Sequence, residues 1–115
     1  MSAAKLNIDE LEAGYPLFCK ALRLLILKGN SVKDIEKETI QVLKNLAAVL
    51  EAGGAKIEDV IKTTIYLTDL SNFQIVNKIY SNFFNVKNPP ARACVEVSSL
   101  PKGVLVEIDC VAFLD

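Results

Sequence analysis

The stretch "NPPARACVEVSSLPKGVLVEIDC", residues 88–110, sets two strand-like runs on either side of a turn containing Pro101 and Gly103. Arg92 follows directly on Pro89, Pro90 and Ala91, and Glu107 and Asp109 stand among Val, Leu and Ile on the returning run. Charge inside a sheet costs free energy unless it has a partner or a task. Side chains alternate along a strand, so Arg92, Cys94 and Glu96 share one side, as do Leu105, Glu107 and Asp109. A hairpin centred on Leu100–Pro101 pairs Cys94 with Glu107 and Arg92 with Asp109, a register that a bulge would shift. One face then carries an arginine, a thiol and up to three acids. Two readings stay open: a solvated cross-strand ion pair, or an arginine fork for a small carboxylate beside an acid that orients water.

Upstream, Ser31 with Asp34 three residues later reads as a helix start close to a capping box. Ile35, Thr39, Val42, Leu43, Leu46 and Leu50 then fall on one helical face, and Gly53–Gly54 supply a left-handed stop. Val60 to Thr68, rich in Val, Ile, Thr and Tyr, reads as a strand. Ser71 is the expected cap of a second helix with Phe73, Val76, Tyr80 and Phe83 on one face, ended by Asn88-Pro89-Pro90. Nearer the start, "KALRLLILKG" fits either a strand or a helix end, after an extended or turn position at Tyr15-Pro16. Helix, strand, helix, strand, strand describes an α+β sandwich with helices on one sheet face, in one domain over residues 1–115.

Composition narrows the chemistry. With 51% apolar residues, 23% charged and a net charge of -1, the chain buries a core and lacks a broad nucleic-acid or anionic-membrane footprint. It has no histidine, which removes Ser-His-Asp and Cys-His machinery, His-ligated metals and a histidine base. Cys19, Cys94 and Cys110 form no C-x-x-C, which suits a reducing, cytoplasmic setting. The acidic start lacks signal-peptide order, and the apolar run Leu22–Gly29 is too short to span a bilayer. No metal and no cofactor are expected. Tyr66, Phe73, Tyr80, Phe83 and Phe84 sit at core periodicity and read as packing.

The stretch Asn88–Phe113 resembles the C-terminal signature of the RidA (YjgF-type) family, the reactive-intermediate imine deaminases. "VIKTTIYLTDLSNFQIVNKIYSNFF" is similar to that family's strand, Asp-Leu-x-x-Phe, Val-Asn and Phe-Phe pattern, and "LKNLAAVLEAGGAKIEDV" to the helix and glycine turn before it. The resemblance runs from about Ser31 onward. It implies a chorismate-mutase-like α+β fold forming a homotrimer, with sites in clefts between subunits. The implied reaction hydrolyses 2-imino and 2-enamino acids, such as 2-aminoacrylate and 2-iminobutanoate, to 2-keto acids and ammonia. By resemblance, Arg92 binds the substrate carboxylate and Glu107 orients water. Cys94, Asn77 and Tyr15 are the implied substrate-binding residues.

An imine carbon is already electrophilic, so holding the carboxylate and aiming one water suits a chain without histidine. The N-terminal part departs from the family: "EAGYPLFCKALRLLILKGNS" reverses Tyr and Pro and lacks the Ser-Gly-Gln element. A non-catalytic small-carboxylate binder or regulatory trimer is the alternative. A ribonuclease or translation inhibitor ranks last, because the balance is acidic and no basic stripe is present.

Overall fold

Helix α1 (Ile35–Ala52) begins at Asp34, whose Oδ1 accepts from the backbone N–H of Glu36 at 3.0 Å and of Lys37 at 3.2 Å. A carboxylate here satisfies two N–H groups that have no partner inside the helix and lies at the positive end of its dipole. The cap is therefore Asp34, three residues later than expected; Ser31 lies outside the described residues. The computed structural model describes residues 16–21, as backbone, and residues 34–114.

The expected apolar face holds, with Thr39, Val42, Leu43, Leu46 and Leu50 buried and Ile35 packed against them. Thr39 is accommodated because its hydroxyl donates back to the Ile35 carbonyl at 2.7 Å. The helix stops where Gly54 turns left-handed at φ 79°. The Ala55 N–H then reaches the Leu50 carbonyl at 2.8 Å and the Gly54 N–H that of Glu51 at 3.0 Å, which satisfies two carbonyls of the last turn.

The remaining elements are β1 (Pro16–Ala21), β2 (Val60–Leu67), α2 (Phe73–Phe83), β3 (Ala91–Glu96) and β4 (Val106–Phe113). They form an α+β fold in which a mixed four-stranded sheet runs β1-β4-β2-β3. β4 is antiparallel to both β1 and β2, whereas β3 is parallel to β2. The expected hairpin between residues 91–97 and 104–114 does not form. Instead α2 carries the chain over the sheet from β2 to β3, the long connection a parallel pair requires. β2 thus lies between the two strands that symmetry had paired. Cys94 lies beside Ile65 and Arg92 beside Thr63, while Glu107 faces Tyr66 and Asp109 faces Thr64.

The buried face of the sheet is built from Thr63, Ile65 and Leu67 on β2 and Val106, Ile108, Cys110 and Ala112 on β4. α1 packs on α2, β1 and β4. A second link joins α1 to the start of β4: Glu38, 1% exposed, accepts the Leu105 N–H at 2.8 Å. Before it, the turn Pro101–Gly103 puts Lys102 at φ 58° and Gly103 at φ 69°.

Replacing Leu46, fully buried at the centre of α1, by alanine is expected to cost about 2–5 kcal/mol. Asp34→Ala, which removes only the cap, is expected to cost about 1 kcal/mol. Urea unfolding at one fixed protein concentration measures both.

Candidate active site

The short 3-10 turn Leu70–Asn72 that leads into α2 is set by two acids. Asp69 accepts from the Ser71 N–H at 2.9 Å and from the Ser71 hydroxyl at 2.7 Å, which draws its carboxyl below its ordinary value. Glu96 at the end of β3 accepts the Leu70 N–H at 2.8 Å. Ser71, the expected cap, is thus held by Asp69, and Glu96 is engaged with this turn of its own chain.

Behind that turn, residues at positions i, i+4 and i+7 of α2 share one face. Phe73, Asn77 and Tyr80 occupy them, and all three meet Arg92. The Arg92 guanidinium lies 5.5 Å from the Phe73 ring centroid and 5.0 Å from that of Tyr80, and one of its N–H groups donates to Asn77 Oδ1. Cation–π contact and a hydrogen bond together restrain a side chain that would otherwise sample many rotamers. Tyr80 is fixed in turn by a buried 2.6 Å hydrogen bond between its hydroxyl and that of Thr63. Burial pushes the Tyr80 phenol up, partly offset by the Thr63 bond and the Arg92 charge. Periodicity marked Phe73 and Tyr80 as packing residues only; their shared face with Asn77 was the available sign of a platform.

Arg92 and Cys94 form one wall of a cleft of about 620 Å³ whose other wall is Leu70, Ser71, Phe73 and Gln74. The cleft joins a guanidinium to the N-terminal turn of a helix, two features that favour an anion. Burial raises the pKa of the Cys94 thiol and the Arg92 charge lowers it by less, so the thiol stays protonated near neutrality. A protonated thiol is a poor nucleophile.

Of the expected site residues, Arg92, Cys94 and Asn77 come together. Glu107 does not join them. β2 separates β3 from β4, and alternation sends Glu107 to the sheet face opposite the helices. There Glu107 is 4% exposed, and Asp109 accepts the Tyr66 hydroxyl at 3.1 Å. Burial, the Asp109 hydrogen bond and the Asp109 and Glu107 charges raise the pKa of the Tyr66 phenol, in that order. The single charged face expected from a hairpin is therefore two faces, arginine and thiol on one, Glu107 and Asp109 on the other. Tyr15 lies outside the described residues. Among the described residues, no group of three or more His, Cys, Asp or Glu could hold a metal ion, and no helix is long and apolar enough to cross a membrane.

Alkylation of Cys94 by iodoacetamide at pH 7 is expected to be slower than that of free cysteine and to accelerate only on the alkaline side of about pH 8.5. Folded-state pKa values raised for Cys94, Tyr66 and Tyr80 give a stability contribution that is complete below their unfolded values and lost as pH rises through the folded ones. Peptide mass spectrometry reads the first effect, and urea midpoints against pH read the second.

A family model described as Endoribonuclease L-PSP matches residues 27–114. A RutC family protein of Synechocystis is 53% identical over 81 residues, which are 70% of this chain and 62% of that protein. The chain therefore spans less than two thirds of that relative. The 2-iminobutanoate/2-iminopropanoate deaminase of Salmonella typhimurium is 43% identical over 86 residues, 73% of this chain and 67% of the enzyme. Among solved structures, Escherichia coli TdcF with bound serine gives a TM-score of 0.80 at 30% identity, covering 91% of this chain and 85% of that one. The YjgF gene product of Escherichia coli gives 0.77 at 34% identity, covering 90% and 84%. The matched span contains both helices, β2, β3 and β4, and with them Arg92, Cys94 and Glu107; the chain belongs to the Endoribonuclease L-PSP family, the RidA (YjgF-type) family.

Proposed function

We propose that the protein hydrolyses reactive 2-imino and 2-enamino acids to 2-keto acids and ammonia in the cytoplasm, as a homotrimer with its sites between copies. The observation that carries this reading is the Arg92 cleft: a guanidinium stacked on Phe73 and Tyr80, tethered to Asn77, and open towards the first turn of α2. Arg92 binds the substrate carboxylate through its remaining N–H groups. Water adds to the iminium carbon as Glu107 accepts one of its protons, giving a carbinolamine. Glu107 returns that proton to the carbinolamine nitrogen, the C–N bond breaks to release ammonia, and the hydroxyl proton passes to solvent as the keto C=O forms, so the net reaction consumes one water and releases one ammonia. No covalent bond to the protein is needed.

Glu107 comes from a second copy in this reading, because Arg92 and Glu107 of one chain flank opposite faces of the same sheet. Two side chains on opposite sheet faces cannot both reach one small substrate. Family membership and the deaminase name carried by a relative of 43% identity support the reaction class.

A second reading has an observation of its own. The carboxylate-holding residues Arg92, Asn77, Phe73 and Tyr80 all lie within one chain, whereas Glu107 does not join them. A protein that binds small carboxylates without turning them over needs nothing more.

The test couples threonine dehydratase and threonine to 2-ketobutyrate formation, with an amine competing for the imine. Wild type is expected to restore ketobutyrate. Arg92→Lys is expected to lose about tenfold or more in kcat/KM while staying folded, since lysine cannot form the fork. Arg92→Ala and Glu107→Gln are each expected to be inactive alone. Mixed and refolded together, they should regain about a quarter of the sites by random assortment of copies. Binding of 2-ketobutyrate without any rescue would favour the second reading.

A further inference from the structure

We propose that Thr63 is a positioning residue for the carboxylate site: its hydroxyl holds the Tyr80 ring in the setting from which that ring carries the Arg92 guanidinium. This inference rests on the carboxylate-binding role given to Arg92 above, which both readings of the site share.

The placement of three residues carries it. In the parallel β2–β3 ladder Thr63 is the register partner of Arg92, so the two side chains rise as neighbours from one sheet face. Tyr80 on α2 spans both. Its hydroxyl meets that of Thr63 at 2.6 Å, and its ring centroid lies 5.0 Å from the Arg92 guanidinium carbon. Thr63 is 0% exposed and out of a ligand's reach, so any effect it has on one passes through Tyr80.

Packing alone does not require this pair of hydroxyls. Thr63 stands on the buried face of the sheet, with Ile65 and Leu67 along its own strand and Cys110 opposite on β4. Valine has the shape of threonine, and phenylalanine that of tyrosine without its hydroxyl. Replacing both members of a buried hydrogen bond by apolar groups of like shape is close to neutral for stability. What the hydroxyls add is direction. Phe84 packs against the Tyr80 ring at 4.7 Å between centroids, a contact that two rings keep over a range of tilts. A hydrogen bond at the far end of the ring removes that range, and the attraction of a cation depends on where it stands over the ring face. Without the Thr63 bond the ring keeps its burial and loses its setting. Phe73 and Asn77 still hold Arg92, so the loss of pre-organisation is partial.

The experiment compares wild type with Thr63→Val, Thr63→Ser, Tyr80→Phe and the double variant Thr63→Val/Tyr80→Phe. The readouts are the urea midpoint, the Kd for 2-ketobutyrate by calorimetry, and the Arg92 Nε–H resonance by NMR, which senses the ring currents of Phe73 and Tyr80. Thr63→Val and Tyr80→Phe are each expected to weaken 2-ketobutyrate binding about fivefold and to shift the Arg92 resonance. Thr63→Ser keeps the hydroxyl and loses a methyl group, so it is expected to lower the urea midpoint yet bind as wild type does. The double variant leaves neither hydroxyl without its partner. Its midpoint is expected to return towards that of wild type while binding stays about fivefold weak, no weaker than in either single variant. Wild-type affinity in Thr63→Val, or an affinity that recovers with the midpoint in the double variant, would overturn the proposal, since a purely structural role moves the two together. A wild type that binds no 2-ketobutyrate would remove the carboxylate role of Arg92, and the resonance then decides the positioning alone. A shift in Thr63→Val with none in Thr63→Ser upholds it, and no shift in either overturns it.

Discussion

The double pairing of β2 governs the molecule. Val60–Leu67 bonds to β4 on one side, antiparallel, and to β3 on the other, parallel. Two consequences follow from that one strand. The parallel partner requires a crossover, which is α2, so a helix lies directly above β3. And because two ladders share one alternation, the residues of β3 and β4 are sorted onto faces by their register with β2. Arg92 inherits the face of the buried Thr63, and Glu107 the face of Tyr66. Each charge finds a tolerable setting: the arginine at an edge strand open to water, the glutamate on the side away from the apolar core.

α2 serves as both core element and platform. Val76 is fully buried and Tyr80 nearly so, yet the same ridge presents the Phe73 and Tyr80 rings and the Asn77 amide to Arg92. The hydrogen bond between the Tyr80 and Thr63 hydroxyls ties the helix to β2 beneath it. A guanidinium resting on rings that are themselves locked into the core loses less entropy when it captures a ligand than one waving in solvent. The site thereby borrows rigidity from the packing, while its polar atoms stay at the rim.

Much of this architecture was legible from residue patterns, and the gaps have physical causes. The α1 face, the extent of β2 and the glycine stop follow from periodicity and from φ > 0 at Gly54, all local properties. The first cap was placed on Ser31 because hydroxyls and carboxylates both accept backbone N–H groups, and Asp34 does so with full charge; Ser71 lies inside a 3-10 turn that Asp69 caps, and α2 itself starts after Asn72 with no side-chain cap. The hairpin between the last two strands failed for a different reason. Alternation tells which residues share a face of a strand, but says nothing about which strand lies beside it. Strand period set Arg92 and Cys94 on one face, whereas Asn77, on a helix, was singled out only by the family resemblance. Phe73 and Tyr80 were seen only as apolar, since a ring's second use depends on which cation the fold sets above it.

The sheet order also bears on how the chain comes together in time. β4, residues 106–113, is the latest strand in the chain and yet is central in the sheet, between β1 and β2. Glu38 on α1 meets its partner Leu105 only at the entrance to that strand, across a separation of 67 residues. During synthesis at the ribosome, α1, β2, α2 and β3 emerge with the apolar face of the nascent sheet uncovered and the β4-binding edge of β2 without its neighbour. Closure waits for the final strand to slot in, so folding is dominated by contacts of high sequence separation and is slow for a chain of this size. Until then the open edge of β2 is a template for any other strand, a liability that ends when β4 pairs with it.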